Sequence, residues 1–361
     1  MDTDADTDTI PVSGVDDLEK HLDELAGDPT VMSNNKLFDH VELQVTDANV
    51  APLIPRLLPK ISDILKRYQR DPTALCSLAT KLLAPLNFTQ AMSLASEEAL
   101  ILALRSPAPS ANLLAMSILA KAAASPSDAA ILAAMKDIVT SFLTQWLSAP
   151  QVEVGEKASR VLGDLLDIDS DARPSQGLAV SGVEIAARRP PGQGFMWRRL
   201  FHDRDVYSLV LSLCSDGPHH GPDGGLTTQQ LSLAQGRLLR ILPRLSALNF
   251  AALTRTDFPD VYQQYANAEP AGGLLNFAAL HMVDKEDVLM HLSLIDFFEA
   301  FFSIQRITPF STYKMDTLRT LYQAATRQDG TLKNAILTLP DRTVPEEADE
   351  LRQFIHAIST D

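Results

Sequence analysis

The stretch SPSDAAILAAMKDIVTSFLTQWLS, residues 125–148, decides the fold class. Its apolar side chains recur every three or four positions, at Ile131, Met135, Ile138, Val139, Phe142 and Trp146. This spacing puts them on one face of an α-helix, where they can pack against a neighbouring element. Ser125 followed by Pro126 is a typical helix start, because proline lacks the N–H that the first turn leaves unpaired. The stretch therefore predicts an amphipathic helix that follows Ser125.

The same one-sided pattern recurs outward from this stretch. A second stripe contains Leu57, Leu58, Ile61, Ile64 and Leu65. Ser96 before Glu97 and Glu98 predicts a further helix start, with an N-cap and acids in the first turn. The alternating Val/Ile/Thr pattern of strands is scarce. We therefore predict an all-α fold.

An apolar residue followed by Ser recurs inside these helical stretches and indicates a repeat. The pairs are Cys76-Ser77, Met116-Ser117, Ala158-Ser159 and Leu292-Ser293. The first three are 40 and 42 residues apart, and a period of about 40 residues is typical of armadillo and HEAT repeats. One such helix pair cannot bury both of its apolar faces, so neighbouring pairs must stack. The spacing predicts an armadillo/HEAT-like α-solenoid of stacked helix pairs.

The breaks between helical stretches set the domain organisation. Residues 1–14 are acidic and lack a hydrophobic pattern, so we expect a disordered tail. Residues 15–361 are predicted to form a single α-solenoid repeat domain. Two Gly- and Pro-rich stretches, at about residues 169–194 and 215–226, are too long for ordinary turns and predict long loops.

Bulk composition narrows the function classes. Hydrophobic residues make up 45% of the chain, chiefly Leu and Ala, and the formal net charge is −15. An acidic surface repels phosphate, so we expect no nucleic-acid partner. Cys76 and Cys214 lie far apart in apolar runs and predict buried free thiols in a reducing compartment. No secretory signal and no apolar stretch of membrane-spanning length is visible, so we expect a cytoplasmic or nuclear protein.

A search for chemical motifs yields no catalytic or cofactor site. The chain has no Walker sequence, no Gly-x-Ser-x-Gly elbow and no CxxC pair. His219 and His220 are adjacent on a Gly/Pro-rich stretch, with no further ligand at zinc spacing. We expect no enzymatic activity, no metal and no cofactor.

One basic cluster stands out against the acidic background. Its members are Arg188, Arg189, Arg198, Arg199 and Arg204, interleaved with Phe195, Trp197 and Phe201. Arginine with aromatic residues is typical of protein interfaces. The cluster also fits a solvated loop and a helix with core aromatics, whose arginines pair with Asp203, Asp205 and Glu184. A nucleic-acid patch is a third interpretation.

Three segments carry a resemblance to a known family: PQVEVGEKASRVLGDLLDID (150–169), FMWRRLFHDRDVYSLVLSLCS (195–215) and DKEDVLMHLSLIDFFEAFF (284–302). They resemble the proteasome assembly chaperones called proteasome non-ATPase regulatory subunit five, whose fungal members carry a DNA-mismatch-repair name. The resemblance covers about residues 150–360 in scattered pieces. It implies an armadillo/HEAT solenoid that binds the C-terminal small domain of one proteasomal ATPase-ring subunit. Such a chaperone helps to assemble the base of the regulatory particle and leaves before the mature proteasome forms.

If the resemblance holds, we expect the interface on two helices, Phe195–Ser215 and Asp284–Phe302. The arginine cluster and the acids Asp284, Glu286 and Asp287 would form its rim, and the protein would act as a monomer. A different helical-repeat scaffold, such as a trafficking or signalling adaptor, is the main alternative. A nucleic-acid repair factor and an enzyme are further alternatives.

Overall fold

The computed structural model describes residues 11–171, 191–216, 226–268 and 272–360, and all regular structure in these ranges is helical. The predicted class is confirmed: an all-α fold of helices packed on one another, consistent with a helical-repeat solenoid. The chain divides into two compact units, Met1–Ala124 and Ser125–Asp361. A single repeat domain over residues 15–361 stays a prediction. The predicted tail and the two predicted long loops lie largely outside the described residues.

The first unit has seven helices in its described residues, followed by a 3₁₀ turn at Lys121–Ala124. They are α1 (Val15–Gly27), α2 (Asn35–Gln44), α3 (Ile54–Leu65), α4 (Thr73–Leu83), α5 (Phe88–Leu94), α6 (Glu97–Leu104) and α7 (Pro109–Ala120). Helix α3 packs against α1 and α4, while α4 and α6 pack against α7. The stripe predicted at residues 57–65 supplies much of this packing, because all its members except the half-buried Leu65 are buried.

Both ends of α6 are closed by side chains. Ser96 Oγ accepts a hydrogen bond from Ala99 N at 3.2 Å, so the predicted start of this helix is confirmed. At the other end, Asn112 Nδ2 on α7 donates to Ala103 O at 2.9 Å and Leu104 O at 3.0 Å. Carbonyls in the last turn of a helix have no partner within it. A side chain from the next helix supplies the partner here.

The second unit has thirteen helices in its described residues, with a 3₁₀ turn at Leu339–Arg342. They are α8 (Pro126–Ala134), α9 (Lys136–Ser148), α10 (Val152–Ile168), α11 (Phe195–Phe201), α12 (Arg204–Cys214), α13 (Thr228–Leu248), α14 (Phe250–Thr254), α15 (Pro259–Ala266), α16 (Leu274–Leu280), α17 (Val288–Ile307), α18 (Thr312–Thr326), α19 (Gly330–Thr338) and α20 (Pro345–Ser359). Helix α13 is central, because α9, α10, α12 and α17 all pack against it.

A buried arginine joins α13 to α9 and α10. Arg237 is 5% exposed, and its guanidinium donates to Trp146 O at 2.8 Å and to Gln151 O at 3.0 Å. Trp146 O lies in the last turn of α9, where helix carbonyls lack internal partners, and Gln151 O lies just before α10, where it also accepts from Gly155 N at 3.3 Å. Gly155 on α10 makes room for the arginine, since a Cβ there would lie 2.0 Å from Arg237 Nε. The pair fixes how closely α10 and α13 approach.

The helix predicted after Ser125 is wrong in its extent. Met135 has a non-helical ψ of 74° and separates α8 from α9. The two helices pack against different partners, α8 against α11 and α9 against α12 and α13. The later members of the predicted stripe are therefore buried, whereas Ile131 on α8 is 44% exposed.

The proposed repeat pairs do not all occupy equivalent positions. Cys76, Met116 and Ala158 are buried in α4, α7 and α10, but Leu292 near the start of α17 is 50% exposed. The fourth pair therefore lacks the core position that the first three share.

Helix α17 corrects the expectation about membrane spans. Among the described residues it is the one helix long and apolar enough to cross a membrane, and 44% of that stretch is buried. Phe298 and Phe302 are fully buried on this helix, which packs against α13, α19 and α20. Length and composition alone do not separate a core helix from a membrane span.

The predicted buried free thiols are confirmed, since Cys76 and Cys214 are both buried and free, while the reducing compartment stays a prediction. Burial raises the pKa of the Cys76 thiol to about 11. Burial also raises the pKa of Cys214 far above its ordinary value. Both groups are therefore neutral thiols at physiological pH.

Candidate protein-binding site

Helix α11, which carries part of the arginine cluster, is anchored to the end of α10. The carboxylate of Asp169 is fully buried and accepts hydrogen bonds from Met196 N at 2.6 Å and Trp197 N at 3.3 Å. Trp197 Nε1 in turn donates to Leu166 O at 2.9 Å. A carboxylate at a helix N-terminus accepts hydrogen bonds from N–H groups that lack partners in the helix, and it interacts favourably with the helix dipole. These bonds fix α11 although 25 positions separate Asp169 from Gly194 in sequence.

A groove runs between α8 and α11. We call it the α8–α11 groove, and its lining residues are Ala130, Ile131, Ala133, Ala134, Phe195, Arg198, Arg199, His202, Asp203 and Arg204. Its volume is about 940 Å³. Ile131 is 44% and Phe195 45% exposed, so the groove presents apolar side chains to solvent. Three arginines of the predicted cluster lie along it.

The three arginines have different roles. Arg199 Nε donates to Ala133 O at 2.8 Å, and its Nη1 donates to Asp203 at 2.5 Å. Ala133 lies in the last turn of α8, so Arg199 closes that helix. Arg198 lies over the Phe195 ring, with its guanidinium carbon 5.7 Å from the ring centroid, and makes no ion pair with any described residue. Arg199 is thus structural, while Arg198 is available to a partner.

Arg204 joins α12 to α15. It forms two bonds to the Asp260 carboxylate, one of 3.0 Å, and its guanidinium carbon lies 5.9 Å from the Phe258 ring centroid. The pairing lowers the pKa of Asp260 and raises that of Arg204. Arg204 remains 54% exposed at the groove. Arg188 and Arg189 lie outside the described residues.

The single helix predicted over Phe195–Ser215 is wrong, because it breaks at His202 and Asp203. Asp203 is the N-cap of α12 and accepts from Asp205 N at 3.1 Å and Val206 N at 3.3 Å. It also accepts from Lys136 Nζ at 3.1 Å. Burial acts to raise the pKa of Asp203, but bonds from Lys136, Val206 N and Arg199 outweigh it and leave the pKa below its ordinary value. This carboxylate ties α9, α11 and α12 together.

The second predicted surface lies at the start of α17. We call it the α17 ridge: the exposed apolar residues Val288, Leu289 and Leu292, with the preceding acids Asp284, Glu286 and Asp287. Val288 is 70%, Leu289 75% and Leu292 50% exposed. Their spacing of three and four residues puts Leu292 next to both others on the helix surface. Large apolar side chains exposed in contact with one another mark a binding surface more often than single ones do.

The three acids of the α17 ridge are not equivalent. Asp287 is the N-cap of α17 and accepts from Leu289 N at 2.9 Å and Met290 N at 3.2 Å. Asp284 accepts from Glu286 N at 2.9 Å and shapes the preceding turn. The Glu286 carboxylate is exposed and makes no ion pair with a described residue. The helix predicted from Asp284 therefore starts later, at Val288.

Asp329 holds the start of α17 in place. It is 7% exposed and accepts from Lys285 Nζ at 3.0 Å, His291 Nε2 at 2.9 Å and Leu332 N at 2.9 Å. Burial acts to raise the pKa of Asp329, but the hydrogen bonds from Leu332 N, Lys285 and His291 outweigh it and keep the pKa low. Sequence reasoning missed this group, since its members lie 38 and 44 residues apart.

The two surfaces have different neighbours within the second unit. Helix α11 packs mainly against α8 and α12, whereas α17 packs mainly against α13, α19 and α20. The α8–α11 groove and the α17 ridge are therefore separate surfaces of opposite charge.

Comparison with known proteins gives no further identification. No protein-family model matches the chain, and no curated protein matches it significantly. Among the described residues, no group of three or more His, Cys, Asp or Glu side chains is placed to hold a metal ion. His219 and His220, for which the sequence predicts no metal site, lie outside those residues.

Proposed function

We propose that this chain is a protein-binding helical-repeat protein that acts as an assembly chaperone of the proteasome regulatory-particle base. In this proposal it holds the C-terminal small domain of one ATPase-ring subunit and dissociates before the mature proteasome forms. It acts as a monomer in the cytoplasm or nucleus and needs no cofactor. The identity of the partner rests on the resemblance of residues 150–169, 195–215 and 284–302 to that family.

The observation that carries the protein-binding role is the α17 ridge. Its three apolar side chains are each at least half exposed. Full burial of an exposed aliphatic side chain contributes about 1.5–3 kcal/mol. Since these three are 50–75% exposed, each would contribute about 1–2 kcal/mol, and together they could form the energetic centre of an interface. Glu286 lies beside them and would favour a partner whose apolar patch has a basic rim.

Hydrogen bonds from other parts of the chain also anchor the start of the ridge helix. Asp287 caps the helix, and Asp329 ties Lys285 and His291 to the start of α19. A surface that is already ordered loses less conformational entropy on binding, which improves affinity without new contacts. This rigidity supports a specific docking role for the ridge.

The α8–α11 groove supports an alternative, a helical-repeat scaffold for trafficking or signalling. Its exposed apolar side chains lie beside Arg198 and Arg204, so it would suit an acidic amphipathic segment. The chaperone could also use this groove as a second contact with the same partner. The identity of the bound protein separates these two functions.

The test is a binding panel of purified C-terminal small domains, one from each subunit of the proteasomal ATPase ring. The full chain is immobilised, and each domain is offered with ATP, with ADP and without nucleotide. The proposal predicts that one domain is retained far more strongly than the others, regardless of nucleotide. Retention of none of them contradicts the chaperone role and leaves the scaffold as the better account.

A further inference from the structure

The first unit contains a cavity that the proposed function does not use. It has a volume of about 530 Å³ and lies among α3, α4, α5, α6 and α7. Most of its wall is aliphatic, with contributions from Ile61, Leu83, Leu114 and Ile118. Leu102, which also lines it, is 62% exposed. The interior of the cavity is therefore apolar, and part of its apolar edge is exposed to solvent.

The charges around this cavity oppose the charge of the whole protein. Its described lining includes Lys66, Arg70 and Arg105 but no Asp or Glu, in a chain of net charge −15. Lys66 Nζ pairs with Asp63 at 2.9 Å, and Arg70 Nε donates to Thr30 O at 3.1 Å. Arg105 is exposed and makes no ion pair within the described part of this unit. Among the described residues, no carboxylate forms an ion pair with Arg70 or Arg105, so both carry positive charge at the cavity.

The size of the cavity selects the kind of ligand. Small-molecule sites usually measure about 300–1,000 Å³ and are lined by apolar side chains with a few polar groups. An extended alkyl chain is narrow and needs no hydrogen-bond partners along its length, so it suits a wall that is mostly aliphatic. The cavity therefore fits an alkyl chain with a charged head group at the edge.

We propose that the first unit binds a single-chain amphipathic anion, with a long-chain carboxylate as the committed ligand. The alkyl chain lies in the cavity among α3, α4, α6 and α7. The carboxylate lies at the edge, where Arg105 and Arg70 neutralise it. The site is independent of the α17 ridge and the α8–α11 groove, both of which belong to the second unit.

The experiment uses the full chain and three soluble probes, each below its micelle-forming concentration: octanoate, dodecanoate and dodecyltrimethylammonium. Isothermal titration calorimetry should give a Kd for dodecanoate roughly 200-fold lower than for octanoate, because each of the four added methylenes tightens binding about fourfold. Dodecyltrimethylammonium has the same alkyl chain with the opposite charge. It should bind at least about tenfold more weakly than dodecanoate, since its head group meets Arg70 and Arg105.

Two variants test where the ligand binds. Ala111→Leu adds side-chain volume at the cavity wall and should weaken dodecanoate binding at least about tenfold. Arg105→Gln should weaken it about two- to fivefold, as expected for an exposed ion pair. Arg67→Gln is the matched control, because Arg67 is an exposed cation nearby that does not line the cavity. Circular dichroism checks that each variant is folded, and Arg105→Gln decides the question if Ala111→Leu is not.

Three results would overturn the proposal. They are equal affinity for octanoate and dodecanoate, equal affinity for the anionic and cationic probes, and wild-type affinity in folded Ala111→Leu. Wild-type affinity in folded Arg105→Gln, or a loss of binding in Arg67→Gln equal to that in Arg105→Gln, would also contradict the placement.

Discussion

Replacing Gly155 by Ala tests the close contact between α10 and the Arg237 side chain of α13. A Cβ at this position would lie 2.0 Å from Arg237 Nε and 2.2 Å from its guanidinium carbon. Neither atom can remain there, so the Arg237 side chain must move. It is 5% exposed, and the move breaks its bonds to Trp146 O and Gln151 O. The variant therefore displaces a buried charge from its hydrogen-bond partners.

The size of the effect follows from two opposing contributions. Each bond from a charged donor contributes about 1.5–3 kcal/mol, and part of this is recovered if the guanidinium finds new partners. Ala in place of Gly within a helix contributes about 1 kcal/mol in the opposite direction. We expect Gly155→Ala to lower the free energy of unfolding by about 2–4 kcal/mol.

Two other glycines provide matched controls. A Cβ at Gly163 would lie 2.4 Å from Arg244 Nη1, but Arg244 is 41% exposed and can swing into solvent. Its pairing with Asp164 is worth at most about 1 kcal/mol, so Gly163→Ala should change stability by less than about 1 kcal/mol. A Cβ at Gly236, within α13, would meet no atom within 4 Å. Gly236→Ala should stabilise by about 0.5–1 kcal/mol.

Urea denaturation followed by tryptophan fluorescence measures these differences. Trp146 and Trp197 both lie in the second unit, so their emission reports that unit. In an Arg237→Ala background the clashing atoms are absent, and Gly155→Ala should cost much less than in the wild type. A Gly155→Ala variant as stable as Gly163→Ala would refute the reasoning.

The remaining predictions concern single side chains. Arg199→Glu should reduce the free energy of unfolding by about 2–3 kcal/mol and lower the melting temperature, because it leaves Ala133 O and Asp203 without their partner. Arg198→Glu should leave the melting temperature unchanged. Equal melting curves for the two variants would contradict this division of roles. The low pKa of Asp329 gives stability that is present above the ordinary carboxyl pKa and lost as pH falls through the folded value. The stability gap between the wild type and Asp329→Asn should therefore narrow below about pH 4 in pH-dependent urea titrations, and a gap that stays constant to pH 3 would argue against the ion pairs. Cys76 and Cys214 should react with Ellman's reagent at pH 8 at least about 100-fold more slowly in the native protein than in guanidinium, and prompt native labelling would show that they are not buried.

Features of the fold that depend on contacts between nearby residues were predicted correctly from local patterns in the sequence. The stripe at residues 57–65 and the N-cap Ser96 were correct, because each depends on side chains within one or two helical turns. Asp203 and Asp287 carry the same kind of local signal, an acid directly before a helix, and could have marked the starts of α12 and α17. Attention to that signal would have divided Phe195–Ser215 into two helices.

Contacts between distant helices explain the errors. No helix breaker precedes Met135, and α8 separates from α9 because the two helices pack against different partners. Ile131 follows the periodicity of the core but lies at an exposed groove. The bond from Arg199 to Ala133 O, 66 residues away, could not be predicted from the sequence, and the role of Arg199 in partner binding stays a prediction. Periodicity shows which residues share a helix face, but it does not show whether that face packs against another helix or is exposed to solvent.

Buried polar side chains that close helix ends were likewise beyond prediction. Asn112, Arg237 and Lys314 each donate to carbonyls at the end of a neighbouring helix. The fold brings each donor side chain to its acceptor carbonyl, and the two have no characteristic separation in the sequence. In a pattern search such residues count as ordinary polar positions.

The central claim is that the α17 ridge holds a proteasomal ATPase small domain. The most direct measurement is the Kd of the domain selected by the binding panel for the wild type, Leu289→Asp and Ile307→Asp. Leu289 is 75% and Ile307 66% exposed, and they lie near opposite ends of α17, about 27 Å apart along the helix. The account predicts that Leu289→Asp raises the Kd by at least about 30-fold, while Ile307→Asp changes it less than about threefold. Unchanged affinity in a folded Leu289→Asp, or equal losses in both variants, would contradict it.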